Sequence, residues 1–482
     1  MHVYGSAASS GTGHLKQSVA GRAGLVAGLA AVAGLMFGLD IGVISGALGL
    51  IAQEFSTTQV QEEWIVAAMM LGAALGVPVA SRLSFVWGRK RTLIIGASLF
   101  ICGSMSCALA GSVGVLIVAR IVLGLAVGVS TFTAPLYIAE VSDPAHRGAM
   151  ISVYQLMVTI GILAAFVSNA LFSYFDAWRW MLGVVAFPAV VFLIGVLFLP
   201  HSPRWLVLRG KRDAARRALL ELRGPVRGVA DELNEIDAQC RGGGNGFALF
   251  RADRNVRRAV FLGVMLQCIQ QFSGVNVVMY YAPRIFGLAG FPEHAGLWGT
   301  ASAGAVNVLA TFLAIWLVDR WGRRPILICG LVVMSLSLTV LGGILGGGAQ
   351  YGVRQVAAVG VLLSFVAGFA FSAGPLVWVL CSEIQPLRSR DFGIACSTVT
   401  NWIANMIVGA SFLSLLDHLG RAGTFWMYAA LNALFVILVI LFVPETKGLT
   451  LEGIERNLMS GVRLRMIGRG AAGPAPDHRA AS

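Results

Sequence analysis

The chain has 482 residues, of which 57% are hydrophobic and only 12% are charged. A soluble globular protein carries about twice that fraction of charged residues, so this composition excludes an ordinary soluble fold. The formal net charge of +13 would suit a nucleic-acid partner only if the positive charges formed one binding surface.

Apolar stretches of about 20 residues, the length that crosses a bilayer, recur along the whole chain. Twelve predicted spans occupy residues 25–50, 63–83, 92–110, 113–138, 150–173, 179–199, 258–282, 297–318, 326–347, 355–381, 392–416 and 424–443. The 59 glycines suit the close helix packing that is common in lipid. The sequence therefore predicts an all-α polytopic membrane protein.

Nearly all of the 36 lysines and arginines fall on one side of the predicted membrane. The exceptions are Arg120, inside the fourth span, and Arg179, Arg284, Arg354 and Arg421 on the other side. Positively charged loops remain in the cytoplasm, so both termini and the central polar segment are predicted to be cytoplasmic in a plasma-membrane protein (the inner membrane of a bacterium). The positive charge then reflects topology and requires no nucleic-acid partner.

Three landmarks of the first half of the chain return in the second half. Trp87-Gly88-Arg89 corresponds to Trp321-Gly322-Arg323, Glu140 to Glu383, and the sequence before Pro200 to that before Pro444. Matched landmarks at nearly constant spacing indicate a duplicated unit of six spans. Two such repeats that face each other across a cavity are a transporter architecture.

The chain is accordingly predicted to divide into five segments. These are a disordered cytoplasmic tail (1–22), a six-helix half (23–200), a cytoplasmic helical linker (201–256), a second six-helix half (257–445) and a cytoplasmic C-terminal tail (446–482). Helical spacing at 214–222 and 230–236 favours short helices in the linker, and a plain linker is the alternative. The Gly-, Ala-, Pro- and Arg-rich sequence after Leu458 predicts disorder.

The first span contains Asp40, and the fourth contains Arg120. An ionisable side chain at membrane depth is costly and usually functional. A nearby guanidinium favours the deprotonated carboxylate and burial favours the protonated one, so movement of Arg120 would switch Asp40 between proton release and uptake. This pair is a candidate proton-coupling site, and a static structural ion pair is the alternative.

The seventh span carries four amides, at Gln267, Gln270, Gln271 and Asn276. The last three cannot share one narrow face of a regular helix, whose residues advance by about 100° each. A break at Gly274 would let them converge, and interrupted helices near mid-membrane form binding sites in transporters. The alternative is that these amides only join helices to one another.

Other spans contribute further polar and aromatic side chains. They are Gln155, Asn307, Trp378, Asn401, Trp402 and Asn405. Amides both donate and accept hydrogen bonds, as hydroxyl groups do, and an indole ring can cover the C–H face of a sugar. Because no cluster of buried lysine or arginine is available for an anion, the predicted substrate is an uncharged polyol, most simply a monosaccharide.

Charged residues also recur where spans end on the basic side, and they form a candidate cytoplasmic gate. They are Arg89, Glu140, Arg147, Asp319, Arg323, Glu383 and Arg390. Pairs between the ends of different spans could close the inner side, and each near-surface pair is worth about 0–1 kcal/mol, which suits a gate that must reopen. Anchoring of topology is the alternative for the arginines, but it does not account for Glu140 and Glu383.

Enzyme and metal chemistry find little support in the sequence. The seven histidines lie in tails, loops or span ends, and the seven cysteines lie mostly inside spans without CxxC spacing. No HExxH, GxSxG or phosphate-binding lysine loop occurs. We therefore predict neither an enzyme nor a bound metal or cofactor.

Four motifs together resemble the sugar porter family of the major facilitator superfamily. They are the duplicated Gly-Arg-Lys/Arg clusters, Pro200-His-Ser-Pro-Arg204, Gln270-Gln-Phe-Ser-Gly-Val-Asn276 and Pro444-Glu-Thr-Lys447. Runs such as 150–157, 177–183 and 372–386 are most similar to bacterial galactose–proton symporters, followed by arabinose and xylose relatives. The resemblance covers about residues 25–460. It implies a monomeric, proton-coupled importer of galactose, glucose or a related aldose that works by alternating access.

The resemblance also implies roles for individual residues. Sugar contacts are implied for Gln155, Gln270, Gln271, Asn276, Asn307, Trp378, Asn401 and Trp402, a cavity lining for Phe37 and Tyr280, a break at Gly374-Pro375, and protonation for Asp40 coupled to Arg120. Passive relatives generally lack the acid at the Asp40 position, which favours symport. A sugar uniporter is the main alternative, and a transporter-like sugar sensor is a more distant one.

Three positions depart from the family pattern. Phe85 replaces the acid that Asp319 supplies in the second half, so the two inner gates should differ in strength. His201 replaces the usual glutamate of the Pro-Glu-Ser-Pro-Arg motif, which leaves the interactions of Arg204 open. Asn401 occupies a site that varies between Asn and Gln in relatives, so the choice between hexose and pentose stays open.

Overall fold

The computed structural model describes residues 7–142, 147–223, 228–241, 246–347 and 352–468. Within these ranges the regular structure is helical, and eleven helices are long and apolar enough to cross a membrane. The last of them, Arg390–Phe442, bends at Gly420, where φ is +70°. It therefore covers the last two predicted spans, which accounts for all twelve.

In the first half, the described residues form seven helices and a short 3₁₀ turn (Ser173–Phe175). The helices are α1 (Ala7–Phe55), α2 (Gln59–Trp87), α3 (Arg89–Ala108), α4 (Val113–Val141), α5 (Arg147–Phe172), α6 (Trp178–Gly183) and α7 (Ala186–Leu197). Thr58 caps α2, since its hydroxyl accepts from the Gln61 amide while the Gln61 side chain accepts from the Thr58 amide. α6 and α7 together form the sixth span.

The first helix is longer than the sequence predicts. A disordered tail was expected over 1–22, but the backbone is helical from Ala7 onward. The segment contains no proline, and a helix that is already nucleated in the membrane gains one hydrogen bond with each added residue. The predicted boundary at residue 22 therefore does not coincide with a helix end.

The described part of the linker contains four short helices. They are α8 (Pro203–Leu208), α9 (Arg212–Arg223), α10 (Val229–Arg241) and α11 (Gly246–Ala252). The helices predicted at 214–222 and 230–236 lie within α9 and α10. Trp205 and Leu219 belong to a small core shared by α8, α9 and α10. The Trp205 indole donates to the Phe85 carbonyl (2.9 Å), and Arg223 donates to the Val141 carbonyl (2.8 Å), so the linker binds the ends of α2 and α4.

Eight helices form the second half and its C-terminal extension as far as the structure describes them, up to residue 468. They are α12 (Arg254–Phe272), α13 (Val275–Leu288), α14 (Glu293–Trp321), α15 (Arg323–Gly346), α16 (Val353–Phe371), α17 (Ala373–Ile384), α18 (Arg390–Phe442) and α19 (Leu451–Met459). Gly274 separates α12 from α13 as predicted, with φ of +90°, a conformation that L side chains rarely adopt.

The break in the tenth span lies at Ser372, not at Gly374-Pro375 as expected. Ser372 has φ −126° and ψ −92°, and α17 begins at the next residue. Pro375 is therefore in the first turn of α17, where its missing N–H costs nothing. A helix continued through Pro375 would bring its ring against the Phe371 carbonyl, so the chain breaks one turn earlier.

The C-terminal segment is ordered beyond Leu458, where disorder was expected. Ile454, Leu458 and Ile467 pack against Ala259 at the start of α12. The α12 side chains of Asn255 and Arg258 donate to backbone carbonyls of this segment. These contacts hold the chain against the second half as far as residue 468, and residues 469–482 lie outside the described ranges.

Glycines allow the closest helix crossings of the first half. A Cβ on Gly38 of α1 would lie 2.0 Å from the Val158 carbonyl oxygen of α5, and one on Gly124 of α4 would lie 2.0 Å from the Met69 carbonyl oxygen of α2. Larger residues could not occupy these positions without separating the helices. The two crossings hold Asp40, two residues after Gly38, and Arg120, one turn before Gly124, inside the bundle.

The two halves meet differently on the two sides of the membrane domain. We call the side that carries the linker the linker face and the other side the opposite face. On the opposite face, Glu62 of α2 forms an ion pair with Arg284 of α13 (3.0 Å), which joins the halves. On the linker face, the ion pairs Arg89–Glu140 and Arg323–Glu383 each join helices of the same half.

Candidate functional site

Asp40 and Arg120 are both completely buried between α1, α2 and α4. The Arg120 Nε donates to the Ile65 carbonyl of α2 (3.0 Å). The two carboxylate oxygens and the two Nη atoms have no hydrogen-bond partner among the described residues, although the two charges act on each other. The described residues therefore give neither the Asp40 carboxylate nor the Arg120 Nη atoms a direct hydrogen bond in this conformation.

Tyr280 of α13 connects this pair to the second half. It is fully buried, and the charges of both Asp40 and Arg120 reach it. Its hydroxyl accepts a hydrogen bond from the Asn405 amide of α18 (3.1 Å). The first residue after the Gly274 break is only five positions before Tyr280.

The amides of α12 and α18 form one continuous hydrogen-bonded chain. Asn401 Nδ2 donates to the side-chain oxygens of Gln267 (2.6 Å) and Gln270 (2.9 Å). Gln270 Nε2 donates in turn to the carbonyls of Ala373 (2.9 Å) and Gly374 (3.0 Å) in the first turn of α17. Gln270, one turn before the Gly274 break of the seventh span, thus bonds to the first turn after the break of the tenth span.

The Gly274 break brings the predicted residues of its two sides together. The Asn276 amide donates to the Gln271 side-chain oxygen across the break. Gln271 is buried, while Asn276 is half-buried. A continuous helix would have pointed these side chains in different directions, as the spacing argument requires.

The remaining predicted sugar contacts lie on α5, α14, α17 and α18. The Trp402 ring is buried and meets the Phe37 ring of α1 edge to face, with 5.8 Å between centroids. Trp378 of α17 is 38% exposed, so its indole is open to contact. Gln155, half-buried on α5, and Asn307, buried on α14, lie on two helices that pack together from different halves.

The gate residues form equivalent sites in the two halves. Glu140 accepts from Arg89 (2.8 Å) and from the Ser202 hydroxyl (2.5 Å). Glu383 accepts from Arg323 (3.3 Å) and from the Thr446 hydroxyl (2.6 Å). Each carboxylate thus links the start of α3 or α15 to the segment that follows the last span of the same half.

The other members of the predicted gate are less well defined. Arg390 is half-buried at the first residue of α18. The side chains of Arg147 and Asp319 lie outside the described residues. Arg204 is exposed, and His201 stacks on Trp205 with 5.6 Å between ring centroids, so the altered motif packs against the linker core.

Sequence reasoning left two positions of the site without a role. Gln267 is one of the four amides of the seventh span, and the sequence alone gives no sign of its bond to Asn401. Its spacing of one helical turn from Gln270 does indicate that the two side chains share a helix face. Asn405 was noted as polar, and its bond to Tyr280 could not be read from spacing. Contacts between spans that are more than 100 residues apart need the three-dimensional structure.

Comparison with known proteins supports this architecture. Residues 26–458 match the family model described as "Sugar (and other) transporter". The chain is 57% identical to the galactose-proton symporter of Escherichia coli (strain K12) over 441 residues, which cover 91% of this chain and 95% of that protein. It is 53% identical to the arabinose-proton symporter of the same strain, with 91% and 94% covered.

Solved structures of the xylose transporter XylE from E. coli have the same fold. A partially occluded inward open conformation superposes with a TM-score of 0.78 at 29% identity, and covers 89% of this chain and 99% of that one. XylE bound to 6-bromo-6-deoxy-D-glucose, described as a major facilitator superfamily proton:xylose symporter, superposes with a TM-score of 0.76 at 30% identity, with 89% and 98% covered. These matches confirm the fold and the resemblance inferred from the motifs. The chain therefore belongs to the sugar (and other) transporter family, a family of transporters rather than enzymes, and has the major facilitator superfamily fold.

Proposed function

We propose that the protein is a proton-coupled monosaccharide importer that works by alternating access. The observation that carries the proposal is Asp40, a completely buried carboxylate that has no hydrogen-bond partner among the described residues and lies within electrostatic reach of Arg120. Such a group at membrane depth needs a function, and proton transfer supplies one. The similarity to galactose- and arabinose-proton symporters supports the same assignment.

The sugar would bind between the halves, at the two interrupted spans. Gln155, Gln270, Gln271, Asn276, Asn307, Asn401, Trp378 and Trp402 are the proposed contacts, with Phe37, Tyr280 and Gly374 lining the cavity. The hydrogen-bonded chain supports this arrangement because both amide hydrogens of Asn401 are already engaged, which leaves its carbonyl oxygen as an acceptor for a sugar hydroxyl. The flat indole of Trp378, open to contact, would cover an apolar sugar face.

The linker face would be cytoplasmic, with both termini on that side of the plasma membrane. Its excess of positive charge supports this orientation. The carboxylates Glu140 and Glu383, with their arginine partners, would help to close this face when the opposite face opens. We further propose two six-helix halves (23–200 and 257–445), joined by the linker 201–256, as one monomeric transport unit.

The decisive experiment measures protons and sugar together. Cells that express the protein, lightly buffered and depleted of energy, receive galactose, arabinose or xylose while the external pH is recorded. A symporter makes the medium more alkaline as sugar enters, with about one proton taken up for each sugar if Asp40 is the single coupling site. Sugar entry without alkalinisation would instead establish a uniporter, and the ranking of the three sugars would identify the preferred one.

A further inference from the structure

We infer that Glu62 and Glu63 of α2 form an outer latch, with Arg284 and Ser414 as their partners. The latch joins the two halves on the opposite face and favours the conformation that is open towards the linker face. This inference rests on the proposed alternating-access function and adds to it a gate on the side for which the sequence predicted none.

Glu63 provides the more buried of the two contacts. Its side chain belongs to the first half, and the residue is only 4% exposed. One carboxylate oxygen accepts from the backbone amide of Ser414 in α18 (2.7 Å), and the other accepts from the Ser414 hydroxyl (2.9 Å). Hydrogen bonds that a carboxylate accepts are among the stronger ones in proteins.

Glu62 provides the second contact, to a helix that belongs to the substrate site. Its side chain is 10% exposed and forms an ion pair with Arg284 of α13 (3.0 Å). The same helix begins at the Gly274 break and carries Asn276 and Tyr280. Release of Arg284 would therefore free the outer end of the helix whose inner end contacts the proposed sugar site.

A further contact on this face also joins the halves. The Ser173 hydroxyl, at the end of α5, lies 3.2 Å from His294 Nδ1 at the start of α14. The His294 ring stacks on Tyr174 with 4.8 Å between centroids. The polar contacts between the halves are thus grouped where the opposite face must open, whereas the carboxylates Glu140 and Glu383 of the linker face bind within their own halves.

The distinction between a latch and ordinary structural ion pairs can be made within this face. Glu54 of α1 is bound by Arg179 at 2.7 and 2.9 Å and by the Trp178 indole, but all three residues belong to the first half. Opening of the opposite face must break the contacts of Glu62 and Glu63 and leaves those of Glu54 intact. Loss of the latch should therefore change the balance of conformations, and loss of the Glu54 contact should not.

The test is a distance measurement across the opposite face in lipid nanodiscs. Spin labels are attached at Val60 and Leu419, which are 58% and 48% exposed and lie on different halves, after replacement of the native cysteines. Glu63→Ala and Glu62→Gln should each increase the ratio of long to short distances about three- to tenfold, the effect expected from loss of one such contact. Glu54→Gln is the matched control and should leave the distance distribution unchanged.

Reversal of the ion pair gives a second arm that does not depend on folding of the single variants. Glu62→Arg combined with Arg284→Glu should restore the short distances that Glu62→Arg alone removes. The inference is overturned if Glu63→Ala and Glu62→Gln both give the distribution of the unmodified protein. The measurement needs no sugar or proton movement, so it remains informative even if the transport assay shows no symport.

Discussion

Glu445 holds the N-terminus of α15 with its carboxylate, and His201 occupies the corresponding place in the first half. The two Glu445 oxygens accept from the backbone amides of Arg323 and Arg324, each at 3.0 Å. A carboxylate there complements both the free amides and the positive end of the helix dipole. His201 has no carboxylate to offer to the start of α3. This helix end therefore lacks the stabilisation that Glu445 gives to α15, although the two halves are otherwise built alike.

Replacement of His201 with glutamate should stabilise the protein. The new carboxylate would face the start of α3, where Lys90 and Arg91 already act on His201, and a charge at a helix N-terminus is worth about 0.3–1 kcal/mol. Thermal unfolding in detergent should show a higher Tm for His201→Glu than for His201→Gln, which has the same size without the charge. Equal Tm values for the two variants would contradict the correspondence between His201 and Glu445.

His201 should also make the linker face sensitive to acid. Burial and the positive charges of Lys90, Arg91 and Lys211 lower the pKa of His201 below its ordinary value of 6.5. The unfolded chain then takes up this proton at a higher pH than the folded chain does. Stability should consequently fall as the pH drops below 6.5 and should not change on this account above it.

The control for this prediction is His201→Gln, which cannot titrate. Unfolding of both proteins is followed at intervals between about pH 7.5 and pH 5, the range in which histidine changes charge. The difference in stability between the two proteins should depend on pH only in the acid part of this range. Parallel curves over the whole range would show that the protonation of His201 is not linked to folding.

Asp40→Asn should abolish uphill accumulation of sugar, while exchange of sugar across the membrane persists. The amide fills the same space as the protonated carboxyl group but cannot release a proton, so the reorientation of the sugar-bound form is kept and its coupling is lost. The measurements are accumulation of labelled sugar in energised vesicles and counterflow in de-energised ones. Asp417→Asn, at an exposed carboxylate of the opposite face, is the matched control. Full accumulation by Asp40→Asn would overturn the assignment.

Sequence reasoning could locate most of the elements because membrane spans and breaks have local causes. The Gly274 break followed from amides that cannot share a helix face, and the structure has it at that residue. The break in the tenth span was predicted two residues too late, at Gly374-Pro375. The Pro375 ring of a continuous helix would clash with the Phe371 carbonyl, so the chain breaks at Ser372 instead.

What could not be predicted depends on pairing between distant parts of the chain. The two bonds from the Gln270 amide to backbone carbonyls of α17, more than 100 residues away, could not be read from the sequence. Glu62 and Glu63 look like ordinary polar residues at the start of a span, and only their partners on the second half distinguish them. Residue propensities and periodicities in a single sequence predict where spans begin, end and break. They do not predict which spans contact one another.

The amides of Gln270 and Asn276 at the proposed sugar site should differ in what their loss does to the protein. Gln270→Ala and Asn276→Ala should each weaken sugar binding at least about tenfold, because each removes a buried hydrogen bond worth about 1–3 kcal/mol. Their effects on stability should differ. Gln270 accepts from Asn401 and donates to two carbonyls of α17, whereas the one bond of the Asn276 amide among the described residues goes to Gln271. Gln270→Ala should therefore also lower the Tm more than Asn276→Ala does.

Titration calorimetry with galactose and thermal unfolding of the same preparations measure both quantities. Asn255→Ala is the matched control, since its amide binds the Met459 carbonyl on the linker face and should leave sugar binding unchanged. Unchanged binding in both Gln270→Ala and Asn276→Ala would count against a sugar site at the interrupted spans. Equal losses of Tm would show that the contact of Gln270 with α17 does not hold the tenth span in place. Weaker sugar binding combined with the larger loss of Tm is the expected result for Gln270→Ala. Gln270 would then both bind the sugar and hold the break of the tenth span at Ser372. Sugar binding and movement of the tenth span would be coupled through this one side chain.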